Sequence, residues 1–383
     1  MIQRIVLWGS LCVAVGVLSV HCDSRPEHGE TEDAVVTFDQ KVQALSDTAA
    51  ARIFTDPAYL TLHGALIGEI ERILDWGDRY VIFDRKQSCV YLFDTTGQLI
   101  RQVGRQGKGP QEYVRISGVA LANDTLVLYA DNPNKMLCYD RQGQFMREYP
   151  VDRRFCFLEG MAYGGTGCFY GVQPANRGAS GYTIGVVGPT GTADYLSFSD
   201  WPAPLVGGLI VTAADSNRIW ISRPFDPYLY RVDGSHPEPE AFLKFDFGTG
   251  NFSSGYATGV EDFDLVMKAM KEHVVLHCAS VCQIGRWLML RAMPDYWLLD
   301  PDSRTVRKID RIDAGGGLIV YARSYVPIEY QTRKIAIQVD PLDIEQQIEQ
   351  GEMERTPIID SLLLINRKEQ NPILVLFHIP ENL

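Results

Sequence analysis

The sequence predicts an all-β fold: a six-bladed β-propeller closed by N- and C-terminal strands, with short helical insertions. Three observations carry this reading. The chain repeats itself, each copy places turn residues at the same offsets, and the strands are apolar enough to need cover on both faces. Two copies align best, RYVIFDRKQSCVYLFDTTGQLIRQVG (Arg79 to Gly104) and TLVLYADNPNKMLCYDRQGQFMREYP (Thr125 to Pro150). Asp94 to Asp140 spans 46 residues, and so does Gly97 to Gly143. Each copy reads as strand, polar turn, strand ending in aromatic-Asp, turn with Gly, strand. Asp suits such turns because its side chain bonds the following backbone, and Gly because it accepts positive φ. A unit of this size cannot bury both faces of its sheet alone, so the units must stack. A period of about 40–50 residues with four strands is that of a propeller blade.

The weaker copies follow in order. Arg218 to Ser235 and Arg286 to Ile309 keep the strand-turn-strand-Asp pattern, and Gly167 to Phe198 keeps it more loosely. The turn aspartates Asp84, Asp94, Asp131, Asp140, Asp233 and Asp300 recur blade by blade, which marks them as structural. An insertion at Tyr256 to Val275 has the apolar spacing of a helix. In the last, irregular blade, LIVYARSY and RKIAIQV read as strands. Pro341 to Glu349 reads as a helix with Asp340 as N-cap, and Asn371 to Phe377 as a final strand. Open sheet edges are a liability, so strands from both termini should close the ring. Val35 to Asp39 (VVTFD) is the candidate closing strand, with the C-terminal strand beside it or one position inward.

The chain has 383 residues and a formal charge of −12. Its basic residues are scattered and outnumbered, which argues against a nucleic-acid partner. Residues 1–22 form a secretory leader, with Arg4 followed by the apolar run Ile5 to Val20. The leader ends in LSVHC, similar to a bacterial lipobox with Cys22 as the lipidated residue, although His21 stands where a small residue is usual. Residues 23–34 are polar and acidic and read as a flexible tether, and residues 35–383 form the propeller. Beyond residue 22 no apolar run is long enough to span a bilayer. The expected location is the cell envelope, on a periplasmic or outer-surface face. Six cysteines remain outside the leader. No C-x-x-C occurs. Cys156 with Cys168 is the best-placed pair for a disulfide, and the alternative is buried free thiols.

The run GRQGKGPQEY, Gly104 to Tyr113, invites a phosphate-loop reading and fails it. Ser or Thr does not follow Lys108, the first glycine of a Walker loop is missing, and a strand (Val114 to Ala122) follows instead of a helix. The run is a blade-to-blade crossing, with glycines for sharp turns, Pro110 fixing φ, and Glu112 accepting from loop amides. With Phe83-Asp84-Arg85, Leu92-Phe93-Asp94-x-x-Gly97 and the ending Asn371-Pro372-Ile373-Leu374-Val375, this crossing resembles the six-bladed β-propeller lipoproteins of Bacteroides-type bacteria, whose architecture is similar to that of NHL-repeat propellers. The resemblance covers nearly the whole mature chain and is poorest over residues 160–260. It implies a fold and an exported location. It carries no reaction onto any residue here.

Propellers bind at a mouth of the ring, where loops from all blades converge. The candidate ligand-binding residues are therefore Arg105, Lys108, Glu112, Tyr113 and Arg115. Asn176 to Tyr182 and Trp201 with Pro202 and Pro204 are further irregular stretches whose aromatic and polar residues suit sugar or peptide contacts. His273, His277, Cys278 and Cys282 have zinc-type chemistry. On a strand, however, Cys278 and Cys282 share a face and His277 points away, so no metal or other cofactor is expected. No G-x-S-x-G elbow occurs, and no catalytic residue stands out. The sequence favours a non-enzymatic binding or scaffold module, monomeric and held to a membrane by its lipid, that takes a protein, peptide or glycan. The alternatives are a metal-dependent propeller enzyme of lyase or lactone-hydrolase type, with its metal in the channel, and a purely structural envelope component.

Overall fold

Each repeat becomes a four-stranded antiparallel sheet, and six such sheets form the ring. The structure is a computed structural model describing residues 34–152, 159–174, 182–189, 191–198, 208–234, 236–253, 256, 262–367 and 370–380. From the axis outward, blade one is Ile70–Asp75, Arg79–Asp84, Cys89–Asp94 and Leu99–Val103. Blade two is Arg115–Ala122, Thr125–Asn132, Asn134–Tyr139 and Phe145–Pro150. Blade three is Glu159–Tyr163, Phe169–Pro174, Tyr182–Gly188 and Gly191–Phe198. Blade four is Val211–Ala213, Arg218–Ser222, Tyr228–Asp233 and Glu240–Asp246, and blade five is Cys278–Ile284, Trp287–Ala292, Asp295–Asp300 and Thr305–Ile309. Blade six is Tyr325–Val326, Lys334–Val339, Ile373–His378 and Thr55–Thr61.

The repeated turns owe their likeness to their chemistry. Asp94 accepts from the amides of Thr96 at 2.8 Å and Gln98 at 3.0 Å. Asp140 accepts from Gln142 at 2.9 Å and Gln144 at 2.8 Å. Gly97 and Gly143 hold φ of +86° and +69°, and a Cβ on Gly97 would lie 2.0 Å from the Thr61 carbonyl oxygen. The core is a set of inter-blade layers. Leu74, Val81 and Leu92 of blade one pack with Val119, Leu128 and Leu137 of blade two. Leu229, Leu243 and Phe245 of blade four pack with Val281, Leu288 and Trp297 of blade five. Each such side chain contributes roughly 1.5–3 kcal/mol on burial, and only a neighbouring blade supplies that burial.

The ring closes in blade six, where the N-terminal strand Thr55–Thr61 lies beside the C-terminal strand Ile373–His378. The closing strand is thus not the VVTFD segment. Val35–Thr37 instead pairs in parallel with Lys244–Asp246 as a fifth, outermost strand of blade four. Aromatic packing explains this placement: the Phe38 ring lies 4.5 Å from that of Phe247, 5.5 Å from Phe245 and 5.3 Å from Trp297. A second correction concerns Cys278 and Cys282. Ser280 takes φ of +54° and the register shifts between Ala279 and Cys282. The bulge turns the two thiols to opposite faces, Cys278 toward blade four and Cys282 toward blade six. Cys168 is a buried free thiol; Cys156 lies outside the described residues.

Strand direction alternates within each blade. The turns between second and third strands, and the crossings from outer strand to next inner strand, therefore share one end of the ring, here called the crossing face. Among the described residues, the three longer helices lie on these connections. Asp262–Glu272 is on the crossing from blade four to five, while Pro341–Glu349 and Pro357–Asn366 join the second and third strands of blade six. Asp340 caps the first of the latter pair through the Leu342 amide, and Thr356 caps the second through that of Ile359. Insertions gathered on one face of a repeat array mark its variable surface.

Candidate functional site

The axis is occupied by protein. After its first strand, blade six sends Ile328–Glu329 to the inner edge of its neighbour, blade one, where it pairs in parallel with Ile73 and Leu74. Arg72 points inward from the same blade-one strand. Its guanidinium donates to the carbonyls of Val119 in blade two at 3.4 Å, and of Met161 in blade three and Val211 in blade four. Arg72 Nε lies 3.3 Å from Glu329 Oε1, and both side chains are 1% exposed. The Ala213 amide donates to Glu329 Oε2 at 2.6 Å. Tyr325 donates to the Ser280 carbonyl of blade five at 2.6 Å, and the Tyr163 amide of blade three donates to Tyr330 Oη at 3.2 Å. One short segment and one arginine thereby tie all six blades together. Burial pushes the Glu329 carboxyl up to about 7, against the pull of Arg72.

Space for a ligand lies on the crossing face instead. The larger cavity, about 390 Å³, sits between blades four and five. Its aromatic wall is Phe225, Phe247 and Phe252, with the Phe225 and Phe252 ring centroids 4.6 Å apart at 32°. Asp226, Lys244, Asp246 and Asn251 supply its polar rim. The rim is held in place by local bonds. The Tyr228 amide and Tyr230 hydroxyl each donate to Asp226 at 3.0 Å. The Gly248 amide at 2.9 Å and Asn251 Nδ2 at 2.6 Å donate to Asp246, and these bonds hold its carboxyl below the usual range. His277 forms part of the same wall. Its Nε2 donates to the Ser222 carbonyl at 2.9 Å, while Ser222 Oγ donates to the Cys278 carbonyl. Burial pushes the imidazole down to about 3, so it is neutral. With the serine proton given to a backbone carbonyl, the Ser222–His277 pair is a packing element.

A smaller cleft of about 250 Å³ lies between blades one and two, formed by the Arg85–Ser88 turn and the start of the blade-two inner strand. Arg85, Lys86 and Arg115 line it, with Ser88, Ser117 and Glu71. Arg85 Nη1 lies 3.3 Å from Glu71 Oε2, and Arg115 pairs with Asp131.

The residues singled out from the glycine run all fall on this face, but in different settings. Arg105 is 83% exposed and pairs with Glu112 at 3.1 Å. Lys108 is exposed at the tip. Glu112 also accepts from the Gly109 amide at 2.8 Å, which makes it the anchor of the loop. Tyr113 is buried beneath Gly104, where a Cβ would come within 2.8 Å of its ring and of Tyr139 Oη. Of the five, Arg115 alone lines a cavity described here. Cys22, residues 176–181, Trp201, Pro202 and Pro204 lie outside the described residues. His273 is exposed and its carbonyl accepts from Gln40, far from the buried His277 in role. Among the described residues no cluster of three or more His, Cys, Asp or Glu could hold a metal ion.

Sequence reasoning missed the axial pair and the aromatic cavity. No clear sequence signal marks the first: Arg72 stands in the strand Ile70–Asp75 between Glu71 and Ile73, and Asp75 ends the same strand, so its charge does not single it out. The cavity brings together Phe225, Phe247 and Phe252 from two loops that share no motif.

A crystal structure of a Bacteroides fragilis protein provisionally described as exported shares this fold, with a TM-score of 0.69 at 17% identity over 91% of this chain and 100% of that one. A DUF4221-family member from Bacteroides vulgatus (TM-score 0.48, 9% identity, 85% and 96% covered) is a more distant neighbour. So is a gluconolactonase from Xanthomonas campestris (TM-score 0.45, 11% identity, 91% and 98% covered). Among curated proteins none matches. A family model spans residues 35–378, nearly the whole propeller, and the chain belongs to that family, the domain of unknown function DUF4934.

Proposed function

We propose that this protein is an exported, lipid-anchored binding module that takes a protein, peptide or glycan segment in the aromatic cavity between blades four and five. The carrying observation is that cavity: about 390 Å³, walled by Phe225, Phe247 and Phe252, with Lys244 at its rim and Asp226, Asp246 and Asn251 there already held in place by hydrogen bonds. Its size and lining match those of small-ligand sites, which are mostly apolar with a few fixed polar groups. Preorganised rims favour binding because little side-chain freedom is lost when the ligand arrives. The enzyme alternative needs a metal in the channel, and the Arg72 guanidinium stands there instead. A buried cation repels a second one strongly in a low-dielectric site. The leader ending at Cys22 supports export and lipid attachment.

Two experiments test the reading. Thermal-shift screening of the protein against neutral oligosaccharides and short peptides should find a stabilising ligand, and Phe252→Ala should weaken its binding at least tenfold with little change in the melting temperature of the unliganded protein. Ligands that stabilise native protein and Phe252→Ala alike would place binding elsewhere. Metabolic labelling with an alkyne fatty acid should mark the wild type and not Cys22→Ser; equal labelling would remove the anchor from the proposal.

A further inference from the structure

The cleft between blades one and two is a different kind of site. The whole chain carries a formal charge of −12, yet among the residues lining this cleft are three cations, Arg85, Lys86 and Arg115, and one carboxylate, Glu71. The two guanidinium side chains keep 52% and 61% of their surface in solvent. Their acidic partners, Glu71 and Asp131, are far more buried, at 10% and 9%. Those buried carboxylates fix the guanidinium positions from beneath while the charged heads face the opening. Lys86 is exposed and makes no ion pair among the described residues. It stands at the rim of the cleft.

The other lining groups add to this pattern. Ser88 Oγ accepts from the Ile116 amide at 2.8 Å, which orients the hydroxyl and leaves its proton for a further acceptor. Ser117 stands on the blade-two inner strand, and the buried Phe83 and Ile116 close the floor. The volume, about 250 Å³, falls below the roughly 300–1,000 Å³ that drug-sized ligands fill. The cleft therefore suits a single ring-sized group. With their partners Glu71 and Asp131 counted, the three cations leave one net positive charge, which favours an anion, and the serines and Glu71 match hydroxyls.

We infer that this cleft binds a sugar acid, a carboxylate carried on a polyhydroxylated ring of monosaccharide size. The carboxylate sits among Arg85, Lys86 and Arg115, and the ring lies toward Phe83 with its hydroxyls on Ser88 and Glu71. The site is separate from the aromatic cavity and does not depend on the reading given for it.

Isothermal titration of the protein with glucuronate and galacturonate tests the inference, with glucose, galactose, acetate and sulfate as comparators at constant ionic strength. At least one hexuronate should bind saturably, its neutral parent sugar and acetate at least tenfold more weakly. Lys86→Gln should weaken binding several-fold, and Lys86→Gln with Arg115→Gln at least tenfold, with melting temperatures near the wild type. Phe252→Ala should bind the hexuronate as the wild type does, which separates this site from the aromatic cavity. Saturable binding of neither hexuronate overturns the inference, as does sulfate binding equal to the hexuronates (a bare anion site), or full affinity in the double variant. Should the double variant lose stability, Lys86→Gln, an exposed substitution, decides alone.

Discussion

The axis and the crossing face use the same residue types to opposite ends. On the axis, Arg72 and Glu329 are 1% exposed, and their polar partners are backbone groups of other blades. On the crossing face, Arg85, Arg105 and Arg115 also pair with carboxylates, but each is more than half exposed. Burial decides what the charge does. A buried pair whose donors reach several blades specifies how the ring is assembled, whereas an exposed pair orients a side chain that solvent or ligand can still reach. The ring thus has two latches, the outer pairing of Thr55–Thr61 with Ile373–His378 and the inner crossing of Ile328–Glu329. Its crossing face stays open to solvent.

The contrast is broken most directly at Arg72. Arg72→Met removes one partner of a buried pair and leaves the Glu329 carboxylate and three carbonyls without it. The expected loss is about 3–5 kcal/mol, read from urea unfolding. Arg105→Gln on the face should change stability by less than about 0.5 kcal/mol, as exposed ion pairs do. Comparable losses at the two positions would erase the distinction.

The outer latch should yield an intermediate effect at Asn371. Its side chain donates to the Leu62 carbonyl at 2.8 Å and the Ala65 carbonyl at 2.7 Å, and accepts from the Ile67 amide at 2.9 Å. Asn371→Ala orphans these buried groups, for an expected loss of about 1–3 kcal/mol, measured by the same unfolding experiment.

Acid should sharpen the comparison further, because the two regions respond with opposite sign. Glu329 is raised by burial to about 7 from an ordinary 4.5, with Arg72 opposing and Glu71 reinforcing the shift. A raised carboxyl favours folding when protonated. Its contribution is full below about 4.5 and is lost as pH rises toward 7. His277, in the cavity wall, is lowered from 6.5 to about 3 by burial, with Arg291 adding to the shift. Its contribution is present above about 6.5 and is lost as pH falls toward 3. Between about pH 4.5 and 6.5 the two slopes offset each other. Melting temperatures across this window should therefore fall more steeply with acid in Glu329→Gln than in the wild type, and less steeply in His277→Gln. Parallel profiles for all three proteins would contradict these assignments.

Blade count, turn chemistry and the Pro341–Glu349 helix and final strand of the last blade were legible because they rest on local rules. Asp94 with Gly97 and Asp140 with Gly143 announce their turns at a fixed spacing, and Asp340 before Pro341 announces a helix start. The Asn371–Pro372 ending was legible as a signal, although its three bonds to the first crossing were not. What stayed hidden depends on contacts between distant segments. Val35–Thr37 alternates like any edge strand, and only the Phe38 ring, seated against Phe247 and Trp297, selects blade four. The bulge at Ser280 inverts the expected relation of Cys278 to Cys282, with no Gly to mark its positive φ. Arg72 and Glu329 meet only because blade six adds a segment to the inner edge of blade one. The cation cleft was half visible: Arg115 belongs to it, but Arg85 and Lys86 reach it from a turn that looked purely structural.

The axis is a structural latch, and the proposed binding sites lie on the crossing face. A double-mutant cycle on Arg72→Met and Glu329→Gln, measured by urea unfolding, tests the latch most directly. Each single variant should be destabilised and the double variant should lose clearly less than the sum, with a coupling of at least about 1 kcal/mol, as for residues in direct contact. Additive, small effects at both positions would show that the pair does not hold the ring together and would return the channel to the list of places where a ligand could bind.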